Sequence, residues 1–262
     1  MPLFNDGPIN TEQDLQTFET SVLDVASVEG IDLGAKAAIA QDEIGTDILA
    51  FLLRRETAVM QPGFIGLPSM LRRKVGTGDV VVTPPLKRWH ALLSLARTYR
   101  DAYNNQLNDR YQGKWKAYEQ DASVAADRYM QIGVGLVGSP LPVPSIPGLS
   151  FVAGSGAGAN YFVSVTWLNA TGQESAPSQL ASLTVGTGAQ LLVTAPAAPS
   201  NAVSWNVYAG SNSTATMLQN AAPIALGQSW TQPPGVPAQG VAPGAGQSPD
   251  RYLVNDRLMQ RG

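Results

Sequence analysis

The chain carries a single histidine, His90, and no cysteine. One imidazole is enough for a Ser–His–Asp arrangement but not for a two-histidine metal site. Without a thiol there is no Cys nucleophile, disulfide framework or Cys-based zinc site. No Gly-x-Ser-x-Gly turn accompanies the histidine, so the strained elbow that exposes a reactive serine is missing. His90 directly follows Trp89 in a helical pattern, where a hydrogen-bonded structural imidazole is the expectation. Gly154-Ser155-Gly156-Ala157-Gly158 has the glycines of a phosphate cradle, but neither the lysine nor the helix that must follow one. It reads as a flexible linker or turn. Asp42 and Glu43 are neighbours on a helix surface, and residues 129–249 offer one Asp, Glu, Lys or Arg side chain, Glu174. Glycoside hydrolysis needs two carboxylates that face each other across a cleft. The expectation is a structural or binding protein, not an enzyme, with no metal and no cofactor.

Apart from Glu174, charge is confined to residues 1–128 and 250–262. Two regions so different in composition are two physical objects: charged amphipathic helices, then a neutral module rich in Gly, Ala, Ser, Thr and Pro. A chain of 262 residues has room for both cores. The net charge of −3 argues against a general nucleic-acid binder, which shows a basic footprint. That average hides an asymmetry. Residues 1–56 hold 11 acidic and 3 basic side chains, whereas residues 57–128 hold 6 acidic and 11 basic. Opposite fields of this kind favour head-to-tail contact between copies, or they pair within one subunit. Pro140, Pro142, Pro144 and Pro147 interrupt the uncharged stretch, leaving no run of about 20 apolar residues suited to a membrane helix. Residues 1–20 contain Asp6, Glu12, Asp14 and Glu19, and the first basic residue is Lys36, unlike a signal peptide. A soluble protein with no membrane partner is expected.

The helices that must position these side chains follow from spacing. Asn10 and Thr11 precede Glu12 and Asp14, a helix start, and Leu15, Phe18, Val22 and Val25 continue one helix to Gly30. A second helix is expected over 32–56, with Leu33, Ala37, Ala40, Ile44, Ile48 and Phe51 on one stripe and Leu49, Leu52 and Leu53 widening its buried face. Residues 57–83 are irregular, with a short strand at 79–83 and a basic run, Arg72, Arg73 and Lys74. That run contacts an acidic neighbour or passing nucleic acid, or is a solvated loop. Pro84-Pro85 opens a third helix, carrying Trp89, Leu93, Ala96, Tyr99, Tyr103 and Leu107. In the fourth, Tyr111, Trp115, Tyr118, Ala122, Ala125, Tyr129 and Ile132 alternate steps of 4 and 3, an a/d seam whose alanines let a partner helix approach closely. The expected fold is α+β in two domains: an N-terminal antiparallel helical bundle over 1–135 and a C-terminal antiparallel β-sandwich over 156–232. Residues 136–155 are expected as a Pro/Gly linker and 233–262 as an extended C-terminal arm.

Within the second domain the pattern changes to period 2. Tyr161, Val163, Val165 and Trp167 alternate with Phe162, Ser164, Thr166 and Leu168. Further strands are expected at 180–185, 190–194, 203–209, 217–224 and 228–231, a sandwich spacing. Trp167 and Trp205 are core anchors or ligand-stacking surfaces. Residues 233–249 read as extended and mobile until bound. Beyond them Arg251, Tyr252, Leu253 and Arg257 restore charge and bulk. This end adds to a neighbour's sheet edge, seats in a groove, or packs back on its own helical domain.

The segment Arg110-Tyr111-Gln112-Gly113-Lys114-Trp115-Lys116-Ala117-Tyr118-Glu119, followed by Ala122 and closing in Gly133-Val134-Gly135-Leu136, resembles the C-terminal helix of the head-to-tail adaptor (connector) proteins of tailed bacteriophages. Tyr161 to Trp167, Thr171-Gly172-Gln173-Glu174-Ser175-Ala176-Pro177-Ser178 and Trp205-Asn206-Val207-Tyr208 are similar to the fibronectin type III-like or Ig-like domains of phage structural proteins. The resemblance implies a virion protein at the neck between capsid and tail, forming a ring of about twelve copies under the portal. It further implies contacts with the portal protein, with tail or neck proteins and with copies of itself. Genomic DNA would pass through the channel without sequence-specific binding. The residues expected to make contacts are Tyr111, Trp115, Tyr118 and Tyr129 on the helix, Arg72, Arg73 and Lys74 in the loop, and Arg251, Tyr252, Leu253 and Arg257 in the arm. The alternative is a tail or virion-surface protein whose sandwich binds carbohydrate or another structural protein.

Overall fold

The computed structural model describes residues 1–58, 74–106, 109–156, 158–234 and 240–254. The chain forms two compact units, one of Met1–Asp6 with Val137–Ser248 and one of Gly7–Leu136 with Pro249–Gly262. The first is built of antiparallel β-sheets and the second is mainly helical, an α+β organisation.

Helix α1 (Glu12–Phe18) opens on a capping box: the Asp14 N–H donates to Thr11 Oγ1 at 3.2 Å, and the Thr11 N–H to the Asp14 carboxylate at 2.8 Å. The single helix expected over 12–29 is broken. Glu19 turns extended, with φ −142° and ψ 100°, and α2 (Val22–Glu29) starts afresh. The break is chemical, because the Glu19 carboxylate accepts from Ser21 Oγ at 2.7 Å and from Lys114 Nζ at 2.7 Å, bonds that a continuous helix would not offer. Phe18 is left exposed and Leu15 and Val22 are buried.

Helix α3 (Leu33–Ala58) buries Leu33, Ala37, Ala40, Ile44, Ile48 and Leu52. The wider face expected near its end forms only in part: Leu52 is buried, but Leu49 and Leu53 are 42% and 53% exposed, and Phe51, expected on the stripe, is half-buried. Helix α4 (Pro84–Gln106) contacts α1, α2, α3 and α5 (Asp109–Ile132). It buries Leu86, Trp89, Leu95, Ala96 and Tyr99, and its exposed charged side chains gather at its two ends, Lys87 and Arg88 at one and Arg100 at the other. The α5 seam turns onto α4 through Tyr111, Ala122, Ala125 and Tyr129. Ile132, at the end of the seam, is 52% exposed, because the helix stops there and the chain leaves through Gly133. Leu107 lies outside the described residues.

From Gly133 the chain enters β1 (Val134–Leu136), which bridges Val80 on one side and pairs antiparallel with β10 (Arg251–Leu253) on the other. The end of the C-terminal arm, from Pro249, thus returns to its own helical unit, one of the three outcomes open from sequence, whereas the described part of the arm before it belongs to the β unit. Its seat needs glycine. Gly133 has φ +106°, and a Cβ there would lie 2.8 Å from Val254 Cγ1 and 3.0 Å from the Leu253 carbonyl oxygen.

In the β unit, β2 (Gly148–Ala153), β5 (Ala189–Thr194) and β9 (Trp230–Thr231) form one antiparallel sheet. A second contains β4 (Ala181–Val185), β3 (Ala159–Leu168), β6 (Ser204–Gly210) and β7 (Met217–Leu218) in that order, with β8 (Ile224–Ala225) also on β6. β2 lies within the stretch expected as a linker. Tyr161, Val163, Val165 and Trp167 of β3 meet Trp205 and Val207 of β6 and Leu191 and Val193 of β5 in one hydrophobic cluster, so the period-2 pattern names its inward face. The terminal hexapeptide belongs to this unit. Leu3 and Phe4 are buried, and Asp6 accepts from the Leu3 N–H at 2.6 Å and the Val143 N–H at 3.0 Å.

Candidate interaction surfaces

The side chains with chemical potential are mostly consumed by the fold. His90 is buried; its Nε2 donates to the Ala37 carbonyl at 3.0 Å, and Nδ1 accepts from Asn10 Nδ2 at 2.9 Å. Burial lowers its pKa, against the opposing effect of the Ala37 bond, and with both nitrogens engaged the neutral imidazole has none to offer a substrate. Glu174, the lone charge of its region, takes one oxygen inward to Asn206 Nδ2 at 3.0 Å, the Tyr208 hydroxyl at 2.7 Å and the Thr166 hydroxyl. Burial and then that carboxylate push the Tyr208 hydroxyl well above its ordinary range. Glu174 is therefore a rivet holding residues 174–178 over the sheet. Ser175 and Ser178 complete it, their N–H groups donating to the Trp167 and Val165 carbonyls at 2.9 Å each.

The concave features are modest. A cavity of 140 Å³ beside Trp167 is lined by Thr194, Pro196, Leu226 and Gln228, below the few hundred Å³ of a typical ligand site. A broader groove of 610 Å³ runs along Pro142, Val143, Pro144 and Ile146 with Gln179. Its carboxylate, Asp6, is already bonded to two backbone N–H groups; burial raises it and those bonds pull it back. Among the described residues no three His, Asp or Glu side chains converge as a metal site, and no helix is long and apolar enough to cross a membrane.

The aromatic residues singled out on α5 lie in the chain's own helical packing. Tyr111 is buried, donates to Glu29 Oε1 at 2.9 Å and accepts from Arg110 Nη2 at 2.8 Å. Tyr118 stacks on Tyr99 with centroids 5.6 Å apart, and its hydroxyl donates to Glu19 Oε2 at 2.8 Å. Trp115 stacks on Tyr103 at 5.9 Å beneath Arg100. Tyr129 is fully buried against Trp89 at 5.7 Å, its hydroxyl without a partner among the described residues. Burial works to raise the Glu19 carboxyl, but hydrogen bonds from Lys114, Ser21 and Tyr118 outweigh it and lower the pKa to about 2. Burial, then Glu19, pushes the Tyr118 hydroxyl far up. These groups hold α1, α4 and α5 together.

The remaining expected contact residues divide. Lys74 is exposed, as are Arg251 and Tyr252, and Leu253 is half-buried in β10. Arg72, Arg73 and Arg257 lie outside the described residues. What the sequence reading missed is the outer face of α3, where Ile39, Leu49 and Leu53 are 45%, 42% and 53% exposed beside Asp42. A heptad count would have found it, since Ile39, Asp42, Thr46, Leu49 and Leu53 repeat at 3, 4, 3 and 4, opposite the buried stripe. No protein-family model matches the chain, and no curated protein matches it.

Proposed function

We propose that this protein is a virion structural component, a head-to-tail adaptor that forms a ring beneath the portal, joins the capsid to the tail and continues the DNA channel. The reading rests on the likeness of residues 110–136 to the adaptor helix. The observation that carries it is the α4–α5 hairpin, whose 24-residue second helix runs directly into β1 and the seat of the C-terminal strand. Such a hairpin satisfies its aromatic seam internally and leaves the charged faces of the helical unit for contacts between molecules. Catalysis has no part in this reading; the work is joining. We further read the two antiparallel sheets, which share one cluster around Trp167 and Trp205, as a fibronectin type III/Ig-like sandwich. With its carboxylate turned inward, that module presents an almost uncharged surface suited to stiffening a neck.

Light scattering and negative-stain imaging of the purified full chain, alone and with a tailed-phage portal protein, test the proposal. Rings, or assembly that depends on the portal, are expected. A stable monomer or trimer that ignores the portal and binds glycans would instead mark a tail or surface protein.

A further inference from the structure

The one imidazole of the chain is built into a clamp on the segment that leads to α1. Residues 7–10 belong to the helical unit and follow directly on Asp6, where the chain leaves the β unit for the first time. Ile9 and Asn10 are buried. Gln41 of α3 holds the segment from one side, accepting from the Ile9 N–H at 3.2 Å and donating to the Gly7 carbonyl at 3.0 Å. Asn10 holds it from the other. Its Nδ2 group has two hydrogens, one directed to the Lys87 carbonyl of α4 at 2.8 Å and the other to His90 Nδ1 at 2.9 Å.

The Ala37 carbonyl fixes the roles in this set of bonds, because it can only accept. His90 Nε2, 3.0 Å from it, must carry a hydrogen, and Nδ1 of the neutral ring is left as the acceptor that Asn10 needs. A second proton, on Nδ1, would set donor against donor. Turning the Asn10 amide over would offer Oδ1 to the ring but take Nδ2 away from the Lys87 carbonyl. The cation would also stay buried without a counter-charge, a costly state, since His90 is 0% exposed. No charged side chain of the surrounding elements bonds to the ring. Asp14 of α1 is engaged with Thr11, and Lys36 and Glu43 of α3 pair with Asp101 and Arg97 of α4. Glu12, Asp42, Lys87 and Arg88 are exposed.

We propose that His90 is an acid-sensitive latch: the neutral ring holds residues 7–10 against α3 and α4, and the protonated ring releases them. Burial favours the neutral ring, against the opposing effect of the Ala37 bond, so the latched form binds the second proton less readily than the released form does. The latch is therefore closed above pH 6.5, the ordinary value for the ring, and opens as pH falls below it. Release leaves the first passage of the chain between its two units slack. The device belongs to the helical unit alone; it goes beyond the adaptor reading and does not rest on it.

Because the chain has one histidine, the ring protons of His90 give a single set of titrating NMR signals in the full-length protein. Exchange of the Ile9 amide, corrected for the intrinsic effect of pH, reports on the segment. Its protection should fall as those signals titrate, by up to about tenfold for each pH unit below 6.5. His90→Gln keeps a donor for Ala37 and an acceptor for Asn10 but gains no charge, so its protection should stay level between about pH 7 and pH 5. Asn10→Asp sets a carboxylate against the ring; the titration should move above 6.5 and the trend reverse, with protection rising as the ring gains its proton. Circular dichroism checks that both variants fold, and should one fail, the wild-type titration and the other variant decide. Unchanged Ile9 protection while the ring titrates would mean that the amide merely turns over, and overturns the latch. So would loss of protection in His90→Gln in step with wild type, an Asn10→Asp titration that does not move, or global unfolding before the ring titrates.

Discussion

Glu19 does the work of several residues. Its carboxylate ends α1, starts α2 through Ser21, and ties both to α5 through Lys114 and Tyr118. Because its pKa falls from 4.5 to about 2 on folding, the folded state binds its proton less readily than the unfolded chain does. Its contribution is complete above pH 4.5 and is lost as pH falls toward 2. Glu19→Gln should cost about 2 kcal/mol at neutral pH, the scale of a charge-assisted hydrogen bond, and should flatten the acid limb of stability. Urea unfolding of both proteins at neutral pH and near pH 3 measures this, and parallel loss in the two would show that another group governs acid sensitivity. At this scale the sequence was a partial guide. The solitary Glu174 was conspicuous, but nothing in its neighbours announced that Thr166, Asn206 and Tyr208, from two strands, would converge on it.

At the scale of elements, the helices and strands follow their patterns where one side is buried, and depart where a distant partner intervenes. β3 alternates as expected and α5 buries its seam, because both periodicities are properties of the backbone. The break at Glu19 and the exposure of Leu49 and Leu53 depend on which elements lie alongside. β2 was hidden in a segment rich in proline and glycine, whose local preferences resemble a linker, and β10 follows such a segment. β10 depends on Gly133. Gly133→Ala puts a methyl against the Leu253 backbone in a left-handed conformation, and should destabilise the helical unit by about 1–3 kcal/mol while loosening the strand. Thermal unfolding gives the first quantity. The rate of tryptic cleavage after Arg251 gives the second, and an unchanged rate would mean that the strand is held by something other than this seat.

For the molecule as a whole, the units are not continuous in sequence. The chain passes between them after Asp6, after Leu136 and after Ser248. Removing residues 1–6 should therefore weaken the β unit, not the helices that follow. The loss should be about 3 kcal/mol for two buried apolar side chains, Leu3 and Phe4. Hydrogen exchange should accelerate in β3 and β6 while α4 keeps its protection; acceleration in α4 instead would assign the hexapeptide to the other unit.

The amino-acid sequence alone determined the α+β division, the inward faces of α5 and β3 and most of that of α3, and the absence of thiol chemistry. These depend on composition and on repeats of about 3.6 and 2 residues, which any short window displays. Only the tertiary structure decided that Glu19 splits a helix, that the tail pairs with β1, that Glu174 is spent inside a sheet, and that Leu49 and Leu53 of α3 stay in solvent. Each depends on groups tens to more than a hundred residues apart, or on strands brought side by side. Such pairings are chosen by packing and charge compensation across the folded chain, and local spacing carries no record of them.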